Sequence, residues 1–126
     1  MEYAMVTKVE VSGADGNYIF SVTISSPDEG CNQYADWWEV VSDEGILLYR
    51  RILRHSHVSE QPFARSGGPV KIKEDELVYV RAHMNNTGYG SQVMKGTIKH
   101  GFTTFHKVDF PMKIEKSEPL PSQCSF

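Results

Sequence analysis

Apolar and polar residues alternate with period two through most of the chain. Val9 and Val11 alternate with Lys8 and Glu10, and Phe20, Val22 and Ile24 with Ser21, Thr23 and Ser25. Such alternation marks a strand with one buried face. The run Gly13-Ala14-Asp15-Gly16-Asn17 between them holds residues that accept turn conformations. Tyr34 to Val41, rich in aromatic and β-branched residues, predicts a third strand, and Ile46 to Leu53 a fourth after the turn Ser42-Asp43-Glu44-Gly45. Residues 54–69, with two prolines and two glycines, predict a long loop, followed by a short strand from Val70 to Lys73. From Glu76 to Met84 the side chains of Val78, Val80, Ala82 and Met84 share one face; Tyr79, Arg81 and His83 share the other. Gln92–Lys99 and Thr103–Phe110 complete the set.

No helical period persists and no segment repeats. Seven to eight short antiparallel strands, with turn signals at regular intervals, predict an all-β protein of the immunoglobulin-like β-sandwich class. The predicted core is Phe20, Val22, Ile24, Trp38, Val40, Leu48, Val78 and Val80. Residues 1–116 are expected to form one domain and 117–126 an extended or frayed C-terminal tail. The adjacent Trp37 and Trp38 point to opposite faces of their strand. Trp38 goes with the core, so Trp37 needs a cover, either residues 102–110 or a second subunit in a homo-oligomer.

Composition narrows the function classes. With 126 residues, 40% hydrophobic and 23% charged, the chain has the make-up of an ordinary globular domain. A net charge of −3 without basic clusters speaks against nucleic acid as a partner. No window holds the ~20 apolar residues of a membrane span. The opening MEYAMVTKVEV lacks the pattern of a secretory signal, so a cytoplasmic location is expected, with Cys31 and Cys124 as free thiols. Cys31, in a loop, is a weak candidate for a reactive thiol.

Two segments carry a resemblance. They are Ser26-Pro27-Asp28-Glu29-Gly30-Cys31-Asn32-Gln33-Tyr34-Ala35-Asp36-Trp37-Trp38-Glu39 and Val78-Tyr79-Val80-Arg81-Ala82-His83-Met84-Asn85-Asn86-Thr87-Gly88. They resemble the two metal-ligand segments of the superoxide reductase, or desulfoferrodoxin-like, family. That family's sandwich holds one iron on four His nitrogens and a Cys sulfur. Tyr34, Trp37, Glu39, Arg81, Asn85 and Gly88 match the family pattern. The ligands do not: Ser26 and Gln33 stand where two His would be, Met84 where the Cys would be, and Thr87 where a third His would be. Hydroxyls, an amide and a thioether are poor iron ligands beside imidazole and thiolate. The resemblance therefore implies the family's fold without its reaction.

The expectation is a non-catalytic binding or interaction domain without a cofactor, for a protein partner or small ligand. Its working surface would be the loop end bearing Ser26, Gln33, Met84 and Thr87, with Phe63 and Arg65 as a possible recognition tip. The alternative is a metal-binding protein or oxidoreductase with a relocated Fe, Zn or Cu ion. His55 and His57 point to one side of an extended segment, and His83 or Glu60 would be the third ligand.

Overall fold

Strand β1 (Met5–Ser12) turns back into β2 (Tyr18–Ser25), and β5 (Phe63–Val70) lies on the other edge of β2, giving a three-stranded sheet in the order β1-β2-β5. The second sheet runs β4-β3-β6-β8-β9, with β7 also paired to β6. It is built from β3 (Ala35–Ser42), β4 (Leu47–Ile52), β6 (Val78–Met84), β7 (Gly88–Tyr89), β8 (Gln92–Thr97) and β9 (Gly101–His106). Every strand pairing in both sheets is antiparallel. The chain is an all-β sandwich in this computed structural model, which describes residues 1–125.

Burial follows the alternation. Phe20, Val22 and Ile24 of β2 meet Trp38 and Val40 of β3 and Val78, Val80, Ala82 and Met84 of β6, and all belong to one core cluster. Leu48 is only partly buried and packs at its margin. The β1–β2 turn needs glycine at position 13. Its φ is +107°, and a Cβ there would lie 2.6 Å from the Asn17 carbonyl oxygen.

Three expectations need correction. The long loop of residues 54–69 is shorter, because residues 63–70 form β5. This strand tolerates Gly67, Gly68 and Pro69 because it is an edge strand, where a missing N–H costs no ladder bond. Gly67 also leaves room for Tyr49, whose hydroxyl oxygen would be 2.6 Å from a Cβ at that position. Second, β9 ends at His106 rather than Phe110. Third, the short strand expected from Val70 to Lys73 does not form: β5 ends at Val70, and residues 71–73 belong to no strand. Residues 107–125, here the C-terminal strap, include a short 3-10 helix (Met112–Lys116) that buries Ile114. The strap ends in a β-bridge between Ser125 and His55.

The cysteines are also not free. Cys31 and Cys124 form a disulfide with their Cα atoms 5.7 Å apart. A separation of 93 residues hides their proximity in the sequence, and the strap creates it by returning to the loop before β3. This removes the reactive-thiol reading of Cys31.

Candidate functional site

The outward face of the larger sheet holds a buried charged layer. Strand register builds it. Glu39 of β3 lies directly between Arg50 of β4 and Arg81 of β6, and Trp37 lies opposite His83. Cross-strand neighbours in such pairs are close enough to interact. The Glu39 Oε1 atom accepts from Arg50 Nε at 2.7 Å, and Oε2 accepts from Arg81 Nε at 2.7 Å and from the Tyr89 hydroxyl at 2.9 Å. Glu39 is fully buried, and both arginines are within a few per cent of it.

Aromatic rings flank these charges. The His83 ring stacks on Trp37 with centroids 3.7 Å apart, and the Arg50 guanidinium lies 4.0 Å from the Trp37 ring centre. The Arg81 guanidinium lies 3.5 Å from the Tyr89 ring centre and 4.1 Å from that of Phe110. Burial, and then the charge of Glu39, push the Tyr89 hydroxyl far above the usual phenol range. It therefore stays a neutral donor to that carboxylate.

The strap is anchored to this layer. Arg50 donates to the carbonyls of Ile114 (2.6 Å), Ser117 (2.5 Å) and Pro119 (3.0 Å). His83 bridges the sheet and the strap: Nδ1 meets Asp36 Oδ1 at 2.6 Å and Nε2 meets Glu115 Oε2 at 2.7 Å. Trp37 is only 2% exposed, so its ring offers no surface to a second subunit. Its cover is His83, Arg50 and Tyr89 rather than residues 102–110.

At the loop end, the positions matched to the iron ligands are all engaged within the chain. Ser26 Oγ donates to Asp28 Oδ1 at 2.8 Å. Gln33 donates to the Pro27 carbonyl at 2.6 Å and accepts from Asn86 at 3.0 Å. Thr87 donates to the Glu2 carbonyl at 2.8 Å, and Met84 is fully buried in the core. These residues do not fit an iron ion. Their donors are spent on the chain's own groups, and the thioether is packed among apolar side chains.

Asp28 is the hub of this end. It accepts from Ser26 Oγ, from the Ala35 amide at 2.9 Å and from the His57 amide at 2.8 Å. Gln61 ties the two loops, accepting from the Ser26 amide and donating to the His57 carbonyl. Asn85 adds a bond to the Cys31 carbonyl next to the disulfide.

The three candidate metal ligands are not brought together. His55 Nδ1 faces the Ser125 hydroxyl at 2.9 Å. His57 stacks on Phe63 and receives a bond from Arg65 Nη2 at its Nε2, 2.9 Å away. His83 is committed to Asp36 and Glu115. Among the described residues, no three His, Cys, Asp or Glu side chains are grouped to hold a metal ion. Phe63 is 2% exposed and therefore not part of a recognition tip; Arg65 remains partly exposed. Burial, and then the Arg65 charge, hold the His57 imidazole below its usual range. With Nε2 accepting from Arg65, the proton sits on Nδ1, which is buried without a hydrogen-bond partner and 3.9 Å from Asp28 Oδ2.

The charged layer was not foreseen as a site. Its signal was present in the phase of Trp37 and Glu39 on one strand and of Arg81 and His83 on the next. What covers that face is not visible in a local pattern.

No family model matches the chain, and no solved structure matches it. A protein of Halomicrobium mukohataei named "Putative lipoprotein" is 40% identical over 101 residues, which is 79% of this chain and 50% of that protein. The chain thus spans about half the length of the curated relative it matches. The name of this relative overturns the cytoplasmic expectation, because a lipoprotein points to a membrane-anchored or secreted location. The Cys31–Cys124 disulfide agrees with that correction, since such bonds persist in oxidising compartments.

Proposed function

We propose that the chain is a non-catalytic binding domain working outside the cytoplasm, on a sandwich similar to the desulfoferrodoxin-like fold without its iron site. One observation carries this reading: Ser26, Gln33, Met84 and Thr87 are all turned to the chain's own backbone, side chains or core. In place of an open coordination site, the loop end is a cross-braced surface tied by Asp28, Gln61, Asn85 and the disulfide. A surface held rigid before binding loses little conformational entropy when a partner docks. Val58, 53% exposed beside Ser59 and Glu60, gives that surface an apolar contact point.

Anaerobic incubation with Fe(II), Zn(II) or Cu(II), followed by desalting and elemental analysis, tests the reading. The expected result is far less than one ion per chain and no reduction of superoxide. One ion per chain, retained by the wild type and lost in His57→Ala, would replace it with a relocated metal centre.

A further inference from the structure

Two buried guanidinium groups share the Glu39 carboxylate beneath the strap. Arg50 spends its remaining nitrogens on Glu39 and on strap carbonyls. Arg81 does not. It is 4% exposed, only its Nε is bonded, and among the described residues its Nη1 and Nη2 have no hydrogen-bond partner. They are not sealed from solvent, so this edge of the guanidinium is open to an acceptor that enters beside it. The Arg81 side chain lines a cleft of about 160 Å³ between β6, β7 and the strap.

The charges and apolar groups around the cleft define what would fit. Tyr89 and Phe110 lie against the guanidinium, so a ligand reaches it along its N–H edge. Lys107 also lines the wall, paired to Asp109 at 2.7 Å. The one acid on the wall, Glu115, has an oxygen on His83. With Glu39 on Arg81 and Asp109 on Lys107 these charges are matched, and what the wall leaves open is the Nη edge of Arg81. On the rim, Val108 is 80% exposed and Met112 is 90% exposed, so two large apolar side chains flank the cleft without a cover of their own. The volume corresponds to about five water molecules, enough for a head group and the first carbons of a chain.

We propose that this cleft binds the carboxylate of a small amphiphilic acid, with Arg81 forming two parallel N–H···O bonds to the head group and Val108 and Met112 covering the apolar tail. The guanidinium fork matches carboxylate geometry, which a lysine cannot reproduce. The cleft shares no lining residue with Ser26, Gln33, Met84 or Thr87, so its failure would leave the reading of that surface standing.

NMR titration of the full chain with acetate, butyrate and octanoate tests the proposal. Octanoate is expected to saturate, roughly tenfold or more tighter than acetate because buried methylenes add affinity. The shifts are expected at Tyr89, Phe110 and Met112. Arg81→Lys should weaken octanoate binding by about tenfold, the cost of losing the bidentate geometry. Met112→Glu, at a position too exposed to affect folding, should weaken it by repelling the head group and removing tail contact. Absence of saturable binding by any of the acids would overturn the proposal. So would octanoate binding that neither substitution weakens. Inorganic phosphate binding as tightly as octanoate would overturn the amphiphile assignment.

Discussion

Strands β3 and β6 bury both of their faces, by opposite chemistry. Inward, Trp38, Val40, Val80 and Ala82 join an apolar core. Outward, Glu39, Arg81 and His83 are equally hidden but charged or polar, and their cover comes from the far end of the chain. The difference lies in how each face responds to loss of one group. Apolar burial stabilises in proportion to area. A buried ion set contributes little net stability, because desolvation offsets the attraction, yet removing one member leaves an uncompensated charge.

Glu39→Ala gives the largest effect that tests this contrast. It strands two guanidinium groups and is expected to cost ~3–5 kcal/mol in urea unfolding, comparable to Trp38→Ala in the core at ~3–5 kcal/mol. The comparison sharpens with the combined change of Arg50→Met, Glu39→Leu and Arg81→Met. Replacing the whole ion set should recover most of the loss, since apolar replacements of such sets are often neutral or stabilising. If the triple variant is as unstable as Glu39→Ala, the charged face contributes real net stability and the contrast fails.

Next comes the covalent tie. The paired change Cys31→Ser and Cys124→Ser is expected to cost about 2–5 kcal/mol, mainly by freeing the unfolded chain. Thermal unfolding of wild type with and without reductant should show the same loss. Identical midpoints in both conditions would mean that the strap is held by Arg50 and His83 alone.

Arg50→Lys tests the polar anchors more gently. The charge beside Glu39 remains, but the fork that reaches the Ile114, Ser117 and Pro119 carbonyls is lost. A cost of roughly 1–3 kcal/mol is expected, with faster amide exchange in residues 112–120 and little change in β2.

The smallest effect is pH-dependent and belongs to His57. Its imidazole titrates lower when folded than the usual 6.5, so below that value the unfolded chain binds the proton first. Stability is therefore fully present above about pH 6.5 and falls as the pH drops towards the folded value. His57→Phe should flatten that part of the curve of urea midpoint against pH; an unchanged slope would assign it to other groups.

The period-two pattern made much of the fold legible. It placed β2, β3 and β6 and set the inner faces, so Trp38 and Trp37 went to opposite sides as observed. It failed where local chemistry misleads. Gly67, Gly68 and Pro69 look like breakers, but an edge strand under Tyr49 accommodates them. It failed again where distant segments meet. Nothing near Cys31 announces Cys124, and nothing in Arg50 announces the carbonyls of Ser117 and Pro119. The loop-end residues were singled out by resemblance, and the sequence alone could not reveal that Ser26 answers to Asp28 or Thr87 to Glu2.

The disulfide also determines how the domain bears mechanical load. A pull applied at the C-terminal end arrives first at Cys124 and passes through the sulfur bridge to Cys31, just ahead of β3. Residues 107–123 lie outside that force path. Tension that would otherwise peel the strap off its arginine anchors is carried by a covalent shortcut into the segment behind β2, and the strands between the two cysteines are shielded with the strap.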